Sequence, residues 1–73
     1  MSLVATRYDQ RHGSPYDRGQ ADSYYGRDYS PHYYLGDTGA STRVELLAMS
    51  AQEIIAYTAG YRDNEASGDK KEW

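Results

Sequence analysis

S-A-Q-E-I-I-A-Y-T-A-G-Y-R-D-N-E-A-S-G, from Ser50 to Gly68, carries a start, a face and a stop for one helix. Ser50 followed three residues later by Glu53 is the reciprocal arrangement of a capping box: the hydroxyl accepts from the Glu53 amide and the carboxylate accepts from the Ser50 amide. Met49 before the cap and Ile54 after it sit where a hydrophobic staple fixes the entry angle, and Gly68 is suited to the left-handed conformation that ends a helix. Between these limits Ile54, Tyr57, Thr58 and Tyr61 fall on one face, with Ile55 and Ala59 widening it, so this face is expected to cover the core.

Working back toward the N-terminus, Ser14-Pro15-Tyr16-Asp17 gives a second helix start. Serine caps, proline takes the first position, where its missing N–H costs nothing, and an acidic residue follows at the positive helix end. This helix is predicted from Pro15 to about Tyr25, with Gly26 as its stop. It is thinly apolar and must lean on the other helix. Asp28 to Thr42 reads as an irregular connection, because Pro31 disfavours helix at Ser30 and Gly36 and Gly39 bracket a turn. His32, Tyr33, Tyr34 and Leu35 within it are too apolar for an idle linker. Arg43 to Ala48 alternates weakly and suggests a short extended segment without a partner in the chain. The expected fold is therefore a small all-α domain over residues 14–68, two helices joined by an aromatic-rich loop, with a flexible arm at 1–13 and a charged tail at 69–73. Trp73, which ends the tail, either folds back over the core or stays exposed.

Both helices contain Y-x-x-G-x-x-D, once as Tyr16, Gly19 and Asp22 and again as Tyr57, Gly60 and Asp63. Glycine inside a helix costs about 1 kcal/mol against alanine, so propensity alone does not explain two copies. The repeat predicts that Gly19 and Gly60 face each other where the helices cross, with Tyr16 and Tyr57 covering the crossing. The aspartates would then accept from tyrosine hydroxyls or pair with Arg18 or Arg62.

At 73 residues the chain is one domain at most and buries a small share of its surface. With no cysteine it has neither disulfides nor thiolate metal sites, and its two histidines are too few for a zinc site. Nine tyrosines and no phenylalanine leave aromatic packing and oligomerisation as the sources of stability. Arg7, Arg11, Arg18 and Arg27 balance Asp9, Asp17, Asp22 and Asp28, so the net charge of −3 lies in the second half. A free-standing nucleic-acid binder normally has a basic surplus. No run approaches the roughly 18 apolar residues of a membrane helix, and Met1 to Ala5 is too short for a signal peptide, so the expectation is a soluble cytoplasmic protein without membrane contact.

Arg18-Gly19 with Ala21, then Gly26-Arg27, then Pro31 with Tyr33, then Tyr57, Gly60, Tyr61 and Arg62 form a pattern that resembles the ribosome modulation factor family. That family consists of short bacterial and phage proteins with two helices and an irregular connection. The likeness runs from Tyr16 to Ala66. It departs in two places: the family's cysteine before proline is Ser30 here, and the family is basic where this chain is acidic. The resemblance implies a two-helix fold and a ribosome-associated modulator binding rRNA through Arg18, Arg27, Arg43 and Arg62, with tyrosines stacked on bases. Small phage proteins with Y-Y-G-R-x-x-x-P-H-Y-Y followed by A-Y-x-x-G-Y are also similar to this one.

No nucleophile and base pair stands out, no cofactor or metal is indicated, and Glu45, Glu53, Asp63 and Glu65 are dispersed. The expected function is that of a non-enzymatic inhibitor or adaptor which binds a host or phage protein. Its surface would be an aromatic patch of Tyr24, Tyr25, Tyr29, Tyr33 and Tyr34 around Arg27, beside an acidic face, because tyrosine and arginine are enriched at binding hot spots. The alternatives left open are that these rings form the core, that they are buried in a homodimer, or that the partner is ribosomal RNA.

Overall fold

A computed structural model describes residues 8–9, 11–36 and 41–72. Helix α1 spans Pro15–Tyr24 and helix α2 spans Ala51–Ser67; between them lie strands β1, His32–Tyr34, and β2, Arg43–Glu45, and a 3₁₀ turn at Leu46–Ala48. The molecule is mostly helical but not purely all-α.

Each helix is fixed by its own ends. Ser14 caps α1 with its hydroxyl on the Asp17 amide, and Asp17 in turn accepts from the Gly13 amide. At the other end Gly26, at φ 71°, donates to the Ser23 carbonyl while Arg27 donates to that of Asp22. These are the paired bonds of a Schellman stop. The Ser50–Glu53 capping box is complete at the start of α2, at 2.8 and 3.1 Å, and Gly68 ends the helix at φ 72°.

The helices pack along Tyr16, Gly19, Asp22 and Ser23 on α1 and Tyr57, Gly60 and Asn64 on α2. A Cβ on Gly19 would lie 2.1 Å from the Tyr57 carbonyl oxygen, and one on Gly60 would lie 2.2 Å from that of Tyr16. Only bare backbone on each side permits that approach. Tyr57 donates its hydroxyl hydrogen to Asp22, and Tyr16 donates to Asp63, so each copy of the repeat supplies the ring that the other copy's carboxylate accepts from. The seam is largely polar: the buried Ser23 hydroxyl donates to Asn64 Oδ1 at 2.7 Å. Ile55, expected to widen the core face, is 56% exposed, because the contact runs through Gly60 and Asn64 and turns Ile55 outward.

The connection is not wholly irregular. β1 and β2 pair antiparallel with His32 opposite Glu45, Tyr33 opposite Val44 and Tyr34 opposite Arg43, so the extended segment has its partner within the chain. It is shorter than expected, since Leu46–Ala48 turns as 3₁₀ helix. On the far side of β1 the Tyr34 amide donates to the Gly13 carbonyl at 2.8 Å.

The described part of the expected N-terminal arm makes contacts with α1 and with the residues of and just after β1. Tyr8 stacks on Tyr16 at 5.5 Å, and the Arg11 guanidinium donates to the carbonyls of Tyr34 and Gly36. The charged tail is also held: the Lys71 amide donates to the Tyr24 carbonyl, and the Lys70 ammonium donates to the Ser23 carbonyl and to Glu65. Met1 to Arg7, the Asp37–Thr38 turn and Trp73 lie outside the described residues.

Candidate functional site

Among the described residues, converging polar groups surround an open recess of about 470 Å³ between α1 and the hairpin, lined by Arg18, Asp22, Arg27, Asp28, Ser30, His32, Tyr34 and Arg43. Three features of local structure build it. The spacing of four puts Arg18 and Asp22 on one face of α1. Strand alternation puts His32 and Tyr34 on one side of β1 and Tyr33 on the other. The register then sets Arg43 beside Tyr34, whose hydroxyl accepts from its Nη1 at 3.3 Å.

His32 is 3% exposed and sits at the back. Its Nδ1 lies 2.9 Å from the Ser30 carbonyl and its Nε2 lies 3.3 Å from Arg18 Nε. A guanidinium N–H can only donate and a carbonyl can only accept, so the ring carries its proton on Nδ1 and is neutral. Burial lowers its pKa below the ordinary value, and the nearby Arg43 and Arg18 act in the same direction, against the Ser30 carbonyl and Asp22. Both ring nitrogens are engaged, which leaves His32 no free lone pair for proton abstraction.

Below it, Tyr57 is fully buried. Its oxygen accepts from the Ser30 amide at 3.2 Å while its hydroxyl donates to Asp22. Burial and the Asp22 carboxylate raise its pKa, and the same two causes, with Asp63 as the carboxylate, push Tyr16 up to about 12. Asp22 thus holds Tyr57 from below and Arg27, at 3.5 Å, from outside. Arg18 has its Nε on His32 and its Cζ 5.7 Å from the Tyr34 ring centre; among the described residues it has no carboxylate partner.

The structure divides the five tyrosines expected to form one patch. Tyr24 and Tyr25 meet edge to face at 5.0 Å beside the tail, where they line a depression with Asp17, Gln20 and Asn64. Tyr25 carries Arg27 over its ring at 4.9 Å, and Arg27 in turn reaches Asp22, so this pair adjoins the recess. Tyr29 is 49% exposed and packs edge-on against Tyr57 and Tyr61, with its hydroxyl 2.6 Å from Thr58 Oγ1. Tyr34 lines the recess itself. Tyr33 is set apart on the opposite face of β1, near Arg11, Gln52 and Glu53, and the Glu53 carboxylate raises its pKa. Gly19, Gly60, Tyr16 and Tyr57 occupy the helix crossing.

Sequence reasoning did not bring Arg18, His32 and Arg43 together. The Arg18–Asp22 spacing was readable, but Arg43 arrives only through strand pairing. Arg62, grouped with these arginines by the family likeness, is not among the recess residues. Among the described residues no group of three or more histidine and acidic side chains is placed to hold a metal ion, and no helix is long and apolar enough to cross a membrane. No family model matches the chain, and neither does any characterised protein or solved structure.

Proposed function

We propose that the chain is a small non-enzymatic binding module that acts in the cytoplasm on a host or phage protein, engaging it through the face formed by Tyr25, Arg27, Tyr29, Tyr34 and the rim of the recess. The observation that carries this reading is the exposed but immobilised state of its anchors. Arg27 is stacked on Tyr25, its carbonyl accepts from the Tyr61 hydroxyl at 2.8 Å, and Tyr29 is pinned to Thr58. Rings and guanidinia held before binding lose little conformational freedom when a partner arrives, so their apolar area and donors are available as affinity. Tyrosine and arginine are also the residue types in which binding energy concentrates.

A second reading, an RNA-binding modulator like the ribosome modulation factor family, has one observation in its favour, the gathering of Arg18, Arg27 and Arg43 around one recess. The net charge of −3 opposes it. Affinity capture from bacterial lysate, with nuclease and moderate salt in one sample and neither in the other, separates the two. Recovery of one protein in both samples is expected; recovery of ribosomal components in the untreated sample alone would give the RNA reading precedence, because phosphate contacts weaken steeply with salt.

A further inference from the structure

We infer that the recess between α1 and the hairpin is a receptor for a single carboxylate, the side chain of an aspartate or glutamate on the protein partner, received by Arg18, Arg27 and Arg43. The inference rests on the protein-binding reading and specifies what one point of the contact is made of.

Charge is the first support. The lining holds three arginines, with His32 neutral; Arg27 already faces Asp22 and Arg43 already faces Glu45, so Arg18 is the guanidinium of the recess with no carboxylate in contact among the described residues. Asp22 is buried and already accepts from Tyr57. It also faces Arg27 at 3.5 Å, and among the described residues no ion pair joins it to Arg18.

Arg18 is the second. It is half-buried, and among the described residues nothing accepts from its two Nη groups. A guanidinium whose fork is unmatched within the described chain is available to an incoming anion, and a carboxylate matches it with two parallel hydrogen bonds. Tyr34 holds the geometry in place: Arg18 lies against its ring and Arg43 against its hydroxyl, so two guanidinia are set around one side chain before anything binds.

Size and surroundings favour a carboxylate on a side chain over a chain of phosphates. The recess is open and far roomier than one carboxylate needs, so it admits the stem that carries the group. Asp28 in the lining and Glu45, which accepts from Arg43 Nε at 2.6 Å, repel a second anion alongside. One guanidinium without a carboxylate partner suits a monoanion, whereas a nucleic-acid backbone presents phosphates in series and needs a basic track.

The test is an NMR titration of the intact protein, following arginine Nε–Hε signals at constant ionic strength, with N-acetylglutamate amide as the probe. Inorganic phosphate and a short RNA oligonucleotide serve as competing probes. The signals of Arg18, Arg27 and Arg43 should move on one saturating curve while those of Arg11 and Arg62 stay still. Arg43→Gln and, separately, Arg27→Gln should each weaken binding about tenfold without altering the amide spectrum of the helices. Shifts that never saturate, or that are equally large at Arg11 and Arg62, would overturn the inference. Tighter binding of phosphate or RNA than of the carboxylate probe would also overturn it and assign the recess to phosphate. Because the probe is added to isolated protein, failure here with a protein still captured from lysate removes the carboxylate receptor alone. Success here with no protein captured removes the binding-module reading instead.

Discussion

Tyr57 in α2 donates a hydrogen bond from its hydroxyl to Asp22 in α1, both groups buried, while the equivalent bond from Tyr16 ends on Asp63, which is exposed. The repeat is symmetric in sequence and unequal in solvent. Tyr57→Phe leaves a buried carboxylate short of its closest donor, whereas Tyr16→Phe leaves one that water can solvate. The expected losses in urea unfolding are about 2–3 kcal/mol for Tyr57→Phe and about 1 kcal/mol or less for Tyr16→Phe. Equal losses would mean that the two bonds do not differ in burial.

Alanine at either crossing glycine reverses the usual sign. In an exposed helix Gly→Ala gains about 1 kcal/mol. Here the added Cβ meets backbone oxygen at 2.1 Å from Gly19 or 2.2 Å from Gly60, and backbone cannot rotate away as a side chain does. Gly19→Ala and Gly60→Ala are each expected to destabilise by about 3 kcal/mol or more, a fall of well over 10 °C in Tm for a domain of this size. A melting temperature unchanged or raised in either variant would contradict the crossing.

His32 makes the fold acid-sensitive in a defined direction. Its pKa is lowered in the folded protein by burial and by the neighbouring arginines. An unfolded histidine takes up its proton near about pH 6.5, so unfolding binds a proton below that value. The His32 contribution is complete above about pH 6.5 and is lost as the pH falls toward the folded pKa. Glu53, whose pKa the Ser50 amide lowers, adds a separate loss at more acid pH, within the carboxylate range. Urea midpoints should be flat from pH 8 to 7, drop below about 6.5, and lose that first drop in His32→Asn. A midpoint that rises on acidification through pH 6 would show instead that Asp22, 3.6 Å from Nδ1, stabilises the imidazolium.

What was legible in the sequence was local or repeated. The caps at Ser14, Ser50, Gly26 and Gly68 are set by residues within one turn of each other, and their chemistry does not depend on the rest of the fold. Gly19 and Gly60 stood out because each breaks helix propensity at the same place in a repeat. Ser23 and Asn64 did not, since polar residues at a helix seam carry no hydrophobic period; their burial follows from the close approach that the glycines allow. The hairpin was hidden because three residues on each side are too few for a period and Pro31 and Gly36 flank the first strand. Tyr33 stands apart from Tyr34 for the same reason: once residues 32–34 are a strand, the two lie on opposite faces. The arginine recess draws on α1, the turn after it and β2, and only the folded chain assembles them.

In the proposed division of roles the crossing holds the fold while the face outside it contacts a partner. Stability and capture measured side by side in Tyr25→Ala and Arg27→Gln, both exposed positions, separate the two roles. A Tm within about 4 °C of the parent is expected for each, since exposed substitutions cost little. The protein recovered from nuclease-treated lysate is expected to fall about tenfold or more. Full recovery of that protein by both variants, with stability unchanged, would overturn the proposed binding surface and leave this face without a role in binding.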